Sequence, residues 1–162
     1  MTVAGNPHIL WSESDPPWDR LATQLSCKYS SLEFALSICS CQWLDSLLQR
    51  VSLPNSLIDL KYWPWLNVGD IPGLPNWHYD CFLEQREEHP AIHRLIFWGA
   101  GSCTEFRDYS IHEGTLYEYD HNSEHRPKPA LYNGPRLLIR SSLVSGIKPI
   151  NQTMIPYITK KK

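Results

Sequence analysis

The stretch Gly69-Asp70-Ile71-Pro72-Gly73-Leu74-Pro75-Asn76-Trp77-His78-Tyr79-Asp80 decides the fold. Its glycines and prolines favour turns and disfavour helix, so the chain enters Trp77 extended. Side chains on an extended strand alternate between faces, which puts His78 and Asp80 on one side, aimed at a common point. An imidazole and a carboxylate so placed are two ligands of a metal centre. A single later histidine would complete two imidazoles and one carboxylate, the facial set that leaves positions open on non-heme Fe(II).

Downstream, the chain reads as strands. Leu95-Ile96-Phe97-Trp98 and Gly114-Thr115-Leu116-Tyr117-Glu118-Tyr119 are apolar or aromatic runs, and Pro135 to Leu143 is another, with Arg136 and Arg140 on one face. From Trp77 to about Ile155 such runs are separated by Gly, Pro and Asn turns, the signature of an antiparallel barrel or sandwich. Two histidines, His121 and His125, precede the last long run. His89, His93 and His112 read as ordinary surface histidines in polar turns.

Upstream, the pattern changes. His8-Ile9-Leu10-Trp11 suits a short edge strand, and Pro16-Pro17 opens a helix to about Leu25. Ser30-Ser31-Leu32-Glu33 has capping-box spacing, and Leu32, Leu36, Cys39, Trp43 and Leu47 then share one helical face to about Val51. That face is core packed on a sheet. Pro54, Pro64, Pro72 and Pro75 break the next segment, where Trp63, Trp65 and Trp77 either line a cleft or form a packed loop. The expected architecture is α+β: a single domain over 1–162, with residues 1–60 a helical buttress and 72–159 a double-stranded β-helix, or jelly-roll, barrel carrying the metal site.

The bulk properties agree with a globular protein. The chain has 162 residues, 42% hydrophobic and 20% charged, enough for one core. A net charge of -2 gives no general pull toward nucleic acid or anionic membrane, and no apolar run approaches the ~20 residues of a membrane helix. Met1 to Pro7 has no basic region followed by an apolar run, so no signal peptide is expected. The 5 cysteines are odd in number and lack zinc-knuckle spacing, which points to reduced thiols in a cytoplasmic protein. Residues 84–90 read as a solvated loop between strands, and Lys160-Lys161-Lys162 as a frayed tail.

Taken in order, His78-x-Asp80, His125 and Arg136 eleven residues later resemble the Fe(II)/2-oxoglutarate-dependent dioxygenases over about residues 72 to 145, closest in spacing to the taurine-dioxygenase-like branch. The resemblance implies Fe(II) held by His78, Asp80 and His125, with His121 the competing distal ligand. It implies 2-oxoglutarate on the iron, its far carboxylate gripped bidentately by Arg136 and shared with Thr104, 24 residues after Asp80. It gives Arg140 an anionic group of the prime substrate, beside Trp77 and Tyr79 as aromatic walls. Alternatively, Arg140-Ser141-Ser142 holds the cosubstrate. An aspartate at position 80 implies hydroxylation rather than halogenation, with O2 consumed and succinate and CO2 released. The 45 residues from Asp80 to His125 imply a pared-down barrel around a small-molecule substrate. Two other classes fit the same residues: a cupin-like metalloenzyme that uses no oxoacid, and a non-enzymatic barrel that serves as a binding module.

Overall fold

Ile58, Leu60 and Tyr62 alternate with Asp59, Lys61 and Trp63, and this period of two makes Leu57–Leu66 the strand β3 at the heart of the molecule. The computed structural model describes residues 7–21, 25–80, 90–101, 104–154 and 158–160. The readings of residues 84–89, Cys81, Cys103 and Lys161-Lys162 fall outside them.

A six-stranded antiparallel sheet contains β1 (His8–Ser12), β2 (Leu25–Ser30), β3, β5 (Ala91–Trp98), β8 (Thr115–Asp120) and β10 (Gly134–Val144), in the order β1-β8-β5-β10-β3-β2. A second sheet, β7-β6-β9, joins β6 (Thr104–Phe106), β7 (Tyr109–Ser110) and β9 (His125–Pro127). The backbone at His78 extends that sheet by pairing with His125 in both directions, at 2.8 and 2.9 Å. Finally β4 (Asp70–Pro72) pairs with β11 (Ile158–Lys160). Lys160, read as part of a frayed tail, thus ends a strand.

The pairings are nested. β3 pairs with β10, the His78 segment with β9, β5 with β8, and β6 with β7. β10 also pairs with β5, and β9 with β6. A chain paired first with last and inward to a central hairpin makes one long antiparallel ribbon, here bent so that its halves form two sheets.

The faces of the large sheet bury different things. Ile58, Leu60, Tyr62, Ile96, Trp98, Leu116, Leu137 and Ile139 pack against α1 (Leu32–Ser37) and α2 (Gln42–Val51), chiefly Leu44, Leu47, Leu48 and Val51. The opposite face presents Leu95, Phe97, Tyr117 and Tyr119 to Phe106 of the second sheet. Asp59, Arg136 and Arg140 lie on that inner face by alternation.

The N-terminal third is less helical than expected. After Pro17 only Trp18–Arg20 turns, as a 3-10 helix, because Leu25 and Cys27 are drawn into β2 beside β3. The long helix to Val51 is two. Ser37 Oγ bonds the Phe34 carbonyl at 2.6 Å and Cys39 Sγ the Ala35 carbonyl at 3.2 Å, side-chain competition that ends α1. Its N-cap is Ser31, whose Oγ accepts from Phe34 N–H. Cys27, Cys39 and Cys41 are free thiols, as expected. Strand content begins well before residue 72: β3 absorbs Pro64 at a bulge, where Trp63 faces Arg136 and Leu66 faces Gly134. Trp63 is buried there, while Trp65 is exposed.

Candidate metal centre

His78 and Asp80 lie just beyond the turns that follow β4, and the ladder to β9 brings His125 alongside them. One ligand atom from each of the three lies within 4.8 Å of the others. Atoms bonded to one ion at ~2.1 Å lie at most ~4.2 Å apart, so a small rotation closes the set. His78, with a side chain 34% exposed, has the freedom to make it.

The hydrogen bonds fix which nitrogens are on offer. His78 Nδ1 lies 2.8 Å from the Asn76 carbonyl, and His125 Nδ1 lies 2.8 Å from the Ser123 carbonyl. A carbonyl only accepts, so both Nδ1 atoms carry hydrogen and both Nε2 atoms are turned inward. These Nε2 atoms face Asp80, at 3.9 Å from Oδ1 for His78 and 3.1 Å from Oδ2 for His125. Backbone carbonyls orienting imidazoles in this way are typical of metal-bound histidines. A neutral Nε2 facing a carboxylate sets lone pair against lone pair and calls for a cation between them.

The electrostatics follow from burial. Burial alone would raise the Asp80 carboxyl, but Arg140 and His125 outweigh it and hold it well below the usual carboxylate range. Burial lowers His78. Burial would also lower His125, yet the Asp80 charge wins and raises it. The Asp80 charge thus favours positive charge at the same place where a cation would bind.

Three further residues bond Asp80 directly. Arg140 Nη1 donates to Oδ1 at 2.7 Å and Nη2 to Asp59 Oδ2 at 2.9 Å. Tyr119 Oη donates to Oδ2 at 2.6 Å. His93, read as a surface histidine, is instead fully buried on β5, because its place in the strand turns it to the inner face. Its Nε2 donates to the Asp80 carbonyl at 3.2 Å, so its Nδ1 accepts from Ser142 Oγ at 2.8 Å. Burial lowers the His93 pKa to about 4.

The other expected site residues fall in different places. His121 accepts the Ala91 N–H in the turn after β8, and His125 is the distal histidine of the set. Thr104 is buried on β6, two residues before Phe106, whose ring lies 5.2 Å from that of His125. Arg136 is fully buried on the inner face of β10, with Nε donating to the Gly99 carbonyl at 3.3 Å. Four residues separate it from Arg140, ~13 Å along a strand, and Arg140 is the arginine that meets Asp80. Arg140 is therefore bonded to protein carboxylates where a substrate anion was expected. Trp77 departs as well. Its ring stacks under the guanidinium groups of Arg107 and Arg126, at 4.1 and 4.5 Å, because the alternation that turns His78 inward turns Trp77 outward. The same alternation applies to Tyr79, which is half-buried.

Asp59, His93 and Tyr119 escaped the sequence reading. Only Asp59 carried a signal, as a charged residue that together with Lys61 alternates with Ile58, Leu60 and Tyr62. Comparison with protein-family models, with curated proteins and with solved structures finds no match for this chain.

Proposed function

We propose that the protein is an Fe(II)- and 2-oxoglutarate-dependent oxygenase that hydroxylates a C–H bond of a small metabolite. The observation that carries this reading is the convergence of His78 Nε2, His125 Nε2 and Asp80, with both Nδ1 atoms tied to carbonyls two residues upstream. Two imidazoles and one carboxylate suit Fe(II) in an oxygenase better than structural zinc, which takes a closed four-ligand shell. The nested pairing also supports it, since a ribbon of eight strands folded into two sheets is the plan of a jelly roll.

Fe(II) together with 2-oxoglutarate would supply O2 activation, one oxygen atom going into the substrate hydroxyl and the other into succinate as the oxoacid loses CO2. The chain's residues do the rest. Asp80 and the histidines hold the cation, and Arg140 and Tyr119 keep the carboxylate oriented. Leu95, Phe97 and Phe106 keep water from the inner face. Arg136, on the inner wall, supplies the guanidinium for the far carboxylate of the oxoacid, with Thr104 as second donor. Lys61, 3.8 Å from Asp59 and partly exposed, offers an ammonium to an anionic substrate group.

A second reading has its own observation. The complete burial of Arg136, with Nε on the Gly99 carbonyl, suits a structural arginine and hence a cupin-like metalloenzyme without an oxoacid. Anaerobic addition of 2-oxoglutarate to the Fe(II) protein separates the two. The oxygenase develops the visible charge-transfer band of an Fe(II)–oxoacid chelate and, on exposure to air, forms succinate. Fe(II) binding with neither band nor succinate would falsify the oxygenase and favour the second reading.

A further inference from the structure

Asp59 is a carboxylate 4% exposed in the middle of β3, directly opposite Arg140 on β10. The other cross-strand neighbour of Arg140 is Leu95, so the layer is otherwise open to apolar packing. A buried charge at such a place is costly unless it is paired, and truncating either partner strands the other. Asp59 is paired with the same guanidinium that grips the proposed metal ligand.

We propose that Asp59 is a positioning residue of the metal centre, acting through Arg140; this rests on the metal reading above. The two contacts use different nitrogens of one rigid, planar group, Nη2 to Asp59 at 2.9 Å and Nη1 to Asp80 Oδ1 at 2.7 Å. Fixing Asp59 therefore fixes the guanidinium plane, and that plane fixes the Asp80 carboxylate. With Oδ1 held by Arg140, Oδ2 is the oxygen facing His125 Nε2, at 3.1 Å, while it also accepts from Tyr119 Oη at 2.6 Å. Asp80 thus presents Oδ2 to the cation, with Tyr119 on its remaining lone pair, and gives Oδ1 to Arg140.

The second contribution is charge. A guanidinium beside a divalent cation repels it, and in a buried site that repulsion is weakly screened. Asp59 neutralises Arg140 from the far side, so the arginine can orient Asp80 without expelling the metal. Lys61, partly exposed and 3.8 Å from Asp59 Oδ2, brings the group of Asp59, Asp80, Arg140 and Lys61 to two charges of each sign.

The test is anaerobic titration of the full chain with Co(II), followed by its visible spectrum, with circular dichroism of each metal-free variant as the check on folding. Asp59→Asn is isosteric and removes only the charge. It should weaken Co(II) binding about 10-fold or more and alter the spectrum, a change that general loss of stability does not produce. Asp59→Glu, which keeps the charge but displaces the guanidinium, should also alter the spectrum. In an Arg140→Met background, Asp59→Asn should have almost no further effect on affinity. The inference is overturned if wild type binds Co(II) and Asp59→Asn binds it within twofold with an unchanged spectrum, or if the loss is equally large in the Arg140→Met background. Failure of wild type to bind Co(II) overturns the metal reading itself, and this inference with it.

Discussion

Of the three candidate ligands, the two histidines are each held by a carbonyl two residues upstream and Asp80 by side-chain donors. Asp80→Ala removes the carboxylate and leaves Arg140 and Tyr119 with a buried vacancy, so metal affinity should fall at least ~100-fold and the metal-free protein should lose ~3 kcal/mol. Titration with Fe(II) and urea unfolding read the two effects separately; unchanged affinity would remove Asp80 from the site. His93 predicts a pH dependence. Its folded pKa of about 4 lies below the ordinary 6.5, so as pH falls the unfolded chain takes up that proton first. The stability His93 contributes is complete above pH ~6.5 and lost as pH falls toward 4, by up to ~3 kcal/mol. Urea unfolding of metal-free protein at pH 7 and pH 4.5 measures the loss, and His93→Gln should shrink it. An equal loss in the variant would show that other groups carry it. At this scale the sequence was legible where the relation is local: His78 and Asp80 declare themselves through a spacing of two. His93, Tyr119 and Asp59 reach Asp80 or Arg140 across strand neighbours far apart in the chain, and no local pattern announces that.

Among the elements, the junction of β5 and β10 is the least forgiving. Gly99 has a φ of +99°, and a Cβ there would lie 1.9 Å from the Pro135 carbonyl oxygen, a backbone atom that cannot step aside. Gly99→Ala should cost at least ~3 kcal/mol or prevent folding, seen as a lowered urea midpoint; a wild-type midpoint would mean that the loop can rearrange. The strands with uninterrupted apolar runs, β5, β8 and β10, could be read directly from composition. β3 could not, because Pro64 and the tryptophans around it suggested a broken loop, whereas a bulge lets the strand carry the proline. The helices were overextended for the opposite reason. Apolar spacing ran on past Ser37, while the side chains of Ser37 and Cys39 bond carbonyls of the preceding turn and end α1.

For the whole molecule, the nested pairing places the ligand ladder, His78 with His125, at the rim of the smaller sheet, and the helices cover the opposite side of the larger one. A metal bound by the set would therefore clamp the His78 segment against β9, its ladder partner. Fe(II) or Co(II) at ~100 times its dissociation constant should add ~2.7 kcal/mol and raise the melting temperature by roughly 5–10 °C in wild type but not in His125→Ala. An equal rise in both would place the metal elsewhere. The general plan, turn-punctuated strands behind a helical layer, was visible in the sequence; the closure of the sheets was not, since it depends on pairings between distant segments. The most direct measurement is anomalous diffraction at the iron edge from crystals grown anaerobically with Fe(II). The account predicts one strong peak within bonding distance of His78 Nε2, His125 Nε2 and one oxygen of Asp80, with Arg140 still on the other oxygen; a peak elsewhere, or none at that site in iron-saturated crystals, would contradict it.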